Sequence, residues 1–132
     1  MNTRGIDSLL RDPGITRQSV DKILQSRSES DVSLALLFLI ENFDDVEWMQ
    51  EKCIEVYNRE DIKLKSLAVT CLGHIGRLHK WVSFDKIAQL LHTALYRDRI
   101  SSSQDAIDDL SLFVKDFGEK WLLFTQRGAN GS

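Results

Sequence analysis

Three segments of this 132-residue chain repeat one skeleton: a small residue, three others, then leucine. They are Ala35…Leu39, Ala68…Leu72 and Ala106…Leu110, offset by 33 and 38 residues. The second and third lie in stretches whose apolar residues recur at helical spacing, and the first lies in a run that is apolar on nearly every side. Alanine at such a position lets two helices approach closely. A single helical hairpin cannot bury its apolar face alone, so the hairpins must stack on one another. The chain is therefore expected to be all-α: a right-handed stack of antiparallel helix pairs, with six to eight helices in total. One domain is expected over residues 1–126, followed by a flexible tail at 127–132.

Composition agrees with helix. The chain has one proline, Pro13, and seven glycines, few for a sheet protein with many tight turns. No apolar run approaches the roughly 18 residues that a membrane span needs. The longest is LALLFLI, from Leu34 to Ile40. The N-terminus lacks the apolar core of a secretion signal, which points to the cytosol. Two cysteines make no disulfide framework, and there both should be reduced. A net charge of -3 argues against general nucleic-acid binding.

The pattern predicts a short helix over Ser19 to Leu24, capped by Ser19. The apolar run of Asp31 to Phe43 fits a buried strand or helix, and the Ser30/Asp31 cap favours helix. A helix over Val46 to Arg59 buries Val46, Met49, Cys53 and Val56. The next, Ile62 to His79, buries Leu64, Leu67, Ala68, Cys71, Ile75 and Leu78, with Gly73 and Gly76 permitting close helix contact. Ser83 caps a helix to about Arg97, with Phe84, Ile87, Ala88, Leu91 and Leu95 inward. Ser101 and Gln104 have capping-box spacing and open a helix to Phe117, which Gly118 ends. Trp121 to Phe124 forms a last short helix.

Catalytic and metal-binding patterns are weak. Cys71 and His74 are three residues apart, but zinc needs three or four protein ligands and no third falls in register. His92 is placed on a polar face with Asp85, Gln89 and Tyr96. Walker-type loops, G-x-S-x-G and H-E-x-x-H are missing from the sequence. The doublets Asp44-Asp45 and Asp108-Asp109 point about 100° apart on a helix, so neither is an acid/base pair by itself. No catalytic residue, metal or cofactor is expected.

The acidic stretch carries more information. Between Glu41 and Asp61 stand eight acids and two bases, a balance of -6 in a chain of net charge -3. Glu47, Glu51 and Glu55 recur every four residues, which puts them on one helix face. Two readings stay open, a solvated face or a surface for a basic partner. Trp48 is either an aromatic anchor or a packing residue. The candidate partner-binding set is Asp44, Asp45, Glu47, Trp48, Glu51 and Glu55, with His74 and Arg77 on the following helix.

SLAVTCLGHIGRLHK, Ser66 to Lys80, together with Asp105-Ala106-Ile107-Asp108-Asp109-Leu110, resembles degenerate HEAT-like repeats. A CLGHIGRLH-type helix and an AIDDL-type helix in a small acidic chain are also similar to certain immunity proteins of bacterial contact-dependent growth inhibition systems. One of those is paired with a ribonuclease A-like toxin. The resemblance spans roughly Asp31 to Phe117. It implies a non-enzymatic protein that binds and neutralises a cognate toxin, a basic nuclease, alone or as a one-to-one complex. It implies no direct contact with nucleic acid or membrane. The rival readings are a HEAT-like adaptor for another protein and a HEAT-like DNA glycosylase. The concentrated acidity opposes the second.

Overall fold

The computed structural model describes residues 16–131, with side chains to Arg127. Seven helices and no strand occur among the described residues. The chain divides into two compact units, Met1–Phe43 and Asp44–Ser132.

In the first unit, α1 (Arg17–Leu24) packs on α2 (Glu29–Asn42). Both helices start earlier than the sequence suggests. Thr16, not Ser19, caps α1, its hydroxyl accepting from the Ser19 backbone at 3.3 Å. Ser28, not Ser30 or Asp31, caps α2 by accepting from Asp31 N at 3.3 Å. Asp31 is thereby drawn into the first turn, where its carboxylate accepts from the Ser26 hydroxyl at 3.2 Å. A carboxylate there also suits the helix dipole. The run LALLFLI is helical, with Ala35, Leu36, Leu39 and Ile40 fully buried.

The second unit holds α3 (Val46–Tyr57), α4 (Ile62–His79), α5 (Phe84–Tyr96), α6 (Ser103–Phe113) and α7 (Phe117–Gly131). Residue pairings give their directions. Lys65 of α4 lies over the Tyr57 ring of α3, and Cys71 lies beside Cys53, so α3 and α4 are antiparallel. Gly73 faces Ala106, Gly76 faces Leu110 and Lys80 covers the Phe113 ring, so α4 and α6 run the same way. Equivalent helices of successive hairpins thus stack in register, as a helical repeat requires. The repeated skeleton marks the contact. Ala68, Leu72 and Leu110 are fully buried, and Ala106 is nearly so.

The glycines of α4 belong to this packing. A Cβ at Gly73 would stand 3.1 Å from Ala106 Cα, and one at Gly76 would overlap the Leu110 side chain. Because α4 is covered by α3 on one side and α6 on the other, its buried face is wider than a single stripe. Val69, Leu72, Gly73 and Gly76 join it, while Leu78, expected inside, is 48% exposed.

Two expected boundaries shift in the last part of the chain. Ser102, in αR geometry, precedes α6 and makes no side-chain cap. Its hydroxyl donates to Ser66 O at 3.3 Å, and Gln104 donates to Asp108 at 2.9 Å, so the Ser101/Gln104 capping box does not form. The single helix expected up to Phe117 breaks after Phe113. Val114 is extended and Asp116 takes the left-handed turn, at φ 65°. Gly118 therefore sits inside α7 and caps nothing. The break lets Phe117 meet Phe84 edge-on at 5.3 Å and stack with Trp121 at 6.4 Å. Such aromatic contacts contribute beyond their burial, and they anchor α7 on α5.

Candidate partner-binding surface

Asp45 caps α3, its carboxylate accepting from Trp48 N at 3.1 Å. That cap sets the phase of the helix. Met49, Cys53 and Val56 turn inward, and Glu47, Glu51 and Glu55 come out on one exposed face beside exposed Asp44. Glu47 reaches Lys86 of α5 at 3.6 Å, and Glu55 reaches Lys52 at 3.0 Å. The first is exposed on both sides and of small energetic worth, while in the second Glu55 is exposed and Lys52 is largely covered. Glu51 has no ion-pair partner among the described residues. The face keeps its negative potential.

Trp48 is only 8% exposed, so its indole fills the interior and the carboxylates define this surface. Arg77 is exposed on α4; it contacts His74 Nδ1 at 3.0 Å and lies 4.0 Å from Asp109 of α6. Of the candidate residues, Glu47 thus meets α5 and Arg77 meets α6.

A charged cluster within the second unit has no signature in the sequence. Asp98, in the α5–α6 connection, accepts from the Tyr57 hydroxyl, from Lys65 Nζ at 3.0 Å and from Arg97 Nε at 3.0 Å. Lys65, almost buried, also reaches Glu60 at 3.3 Å. Tyr57 and Lys65 are 41 and 33 residues away from Asp98 along the chain, beyond any periodicity. The bonds from Arg97, Tyr57 and Lys65 hold the Asp98 carboxyl well below the usual carboxylate range. Burial, and then the Asp98 bond, push the Tyr57 hydroxyl up.

A carboxylate with a depressed folded pKa stabilises the fold at pH above its unfolded value, near 3.9, and loses that contribution as pH falls towards the folded value. Urea midpoints of the wild type should therefore decline below about pH 4. Asp98→Asn should lower the midpoint at pH 7 and flatten this decline. A variant with the wild-type acid profile would show that the cluster contributes nothing.

Cys53 and Cys71 are both buried and free. Burial pushes the Cys71 thiol up to about 12 and also holds the Cys53 thiol well above its ordinary value, so both are protonated at neutral pH. Among the described residues no group of three or more His, Cys, Asp or Glu is arranged to hold a metal ion. His92 shares its helix face with exposed Asp85, Gln89 and Tyr96, but aromatic rings of α7 also cover it. It packs among Tyr96 at 4.7 Å, Phe124 at 5.8 Å and Trp121 at 6.4 Å. No helix among the described residues is long and apolar enough to cross a membrane.

Helices stacked in register, with an acidic outer face, define an all-α helical-repeat protein. The chain is similar to a chain in the crystal structure of a CDI complex from Cupriavidus taiwanensis LMG 19424. The likeness has a TM-score of 0.64 and 28% identity, and covers 75% of this chain and 90% of that one. No protein-family profile matches the sequence, and no curated protein matches it.

Proposed function

We propose that this chain is a non-enzymatic immunity protein that binds a cognate bacterial toxin and blocks its substrate site. The likeness to a chain of a CDI complex carries this reading, at 28% identity over 90% of that chain. CDI denotes contact-dependent growth inhibition, in which a toxin is held by its immunity protein. The toxin is a basic nuclease, of the ribonuclease class that the sequence resemblance implies. A nuclease needs a positive cleft to hold phosphates. The face of Asp44, Asp45, Glu47, Glu51 and Glu55 has the opposite sign, so it can steer the encounter and exclude nucleic acid. His74 and Arg77 provide a second contact on the α4–α6 side. The complex is one-to-one, requires no cofactor and forms in the cytoplasm.

The test is neutralisation. A toxin domain found encoded beside this gene would be expressed with and without the chain, and its nuclease activity titrated with pure protein. Growth should be rescued, and activity should vanish at a one-to-one ratio. Nuclease activity that persists at stoichiometric protein would refute the reading.

A further inference from the structure

A cleft of about 500 Å³ lies where the α4–α5 connection meets α7. That is within the size range of sites that take a small molecule or a few side chains. Trp81, Val82 and Phe84 form one wall; Leu123 and Phe124 form the other. Trp81 is 50% exposed and Leu123 is 56% exposed. An indole left half in water is an unusual expense of apolar surface, and tryptophan is the side chain most enriched at binding hot spots.

The cleft is also charged. Lys120, Leu123, Phe124 and Arg127 follow the i, i+3, i+4, i+7 pattern, so a single stripe of α7 supplies two cations on either side of an apolar centre. Neither Lys120 nor Arg127 has a side-chain hydrogen bond or ion pair among the described residues. Asp85 is the one acid in the lining. The cleft thus has a net positive charge in a protein whose net charge is -3. Its sign is opposite to that of the α3 face.

We propose that this cleft is a docking site for a segment of a partner protein that presents a large apolar side chain next to carboxylates. The apolar side chain lies between Trp81 and Leu123. Carboxylates flanking that side chain pair with Lys120 and with Arg127, whose guanidinium can form two parallel bonds. Asp85, also in the lining, disfavours acids placed next to it. This assignment does not depend on the toxin reading, because it uses a different surface and the opposite charge.

The probes are two blocked hexapeptides, acetyl-Gly-Leu-Phe-Glu-Asp-Gly-amide and its counterpart with lysine at both acidic positions. Binding is followed by the indole N–H resonances of the ¹⁵N-labelled protein, with the Trp81 signal assigned by Trp81→Phe. The acidic peptide should shift the Trp81 resonance saturably, with a dissociation constant of about 1 mM. Lys120→Glu together with Arg127→Glu should weaken it roughly tenfold and favour the lysine peptide instead. Both positions are exposed, so the fold should persist, and the unchanged Trp48 resonance checks it. No saturable shift of Trp81, or an equal response to both peptides, would overturn the proposal. So would an affinity that survives the double charge reversal.

Discussion

Gly73→Val is expected to lower the unfolding free energy by about 3 kcal/mol, the upper part of the usual range for overpacking a core. The cause is the α4–α6 contact. A Cβ at Gly73 would meet the backbone of Ala106 at 3.1 Å, and a backbone cannot rotate away as a side-chain tip can. The whole of α6 would have to move, which would disturb Ile107 and Leu110 as well. Valine also adds two methyl groups beyond that Cβ. Helix propensity pulls the other way, since glycine inside a helix costs up to about 1 kcal/mol relative to better formers. The steric term is the larger. Gly118→Ala is the internal control. A Cβ there meets only Ser111 atoms at 3.7 and 3.8 Å, which is ordinary contact, so stability should rise by a few tenths of a kcal/mol. Urea unfolding of both variants gives the comparison. A wild-type midpoint for Gly73→Val would mean that α6 yields freely and that the repeat contact is not tight.

Reversing Glu47, Glu51 and Glu55 to lysine should weaken toxin binding about 100-fold, roughly 3 kcal/mol. The expected loss lies mainly in the association rate, and it should shrink as salt screens the face. Helix stability should change little. Three like charges four residues apart are exchanged for three others, the lost pair with Lys86 is exposed, and the one with the largely covered Lys52 joins neighbours on the same helix. Asp105→Lys with Asp108→Lys and Asp116→Lys reverses three acids at other exposed positions, the same change in net charge, and should leave affinity within about threefold. Surface plasmon resonance at two salt concentrations separates the cases. Equal affinity of the triple variant, with its helical signal intact, would reduce the α3 acids to solvated surface. If both sets lose affinity equally, net charge matters and the α3 face does not.

The repeat skeleton was legible in the chain because the pattern that defines it is local. Ala35, Ala68 and Ala106 and their leucines are spaced by one helical turn, and all six are buried. The acidic face was legible for the same reason, since Asp45 caps α3 and so fixes which residues point outward. Several caps were misplaced by one to three residues. Ser, Thr and Asp compete for the role at each helix start, and packing selects among them. Ser28 gains over Ser30 because Asp31 can then accept from Ser26.

The amino-acid sequence by itself determined the all-α class, the close-packed Gly73 and Gly76 helix and the concentration of acid between Glu41 and Asp61. These depend on residues within a turn or two of each other. Only the tertiary structure decided what happens when distant segments meet. It buried Trp48, closed Asp98 on Tyr57 and Lys65, broke the helix after Phe113, and set Lys120 and Arg127 across a cleft from Trp81. Each outcome depends on which helix lies beside which, and periodicity along one helix holds no record of its neighbour.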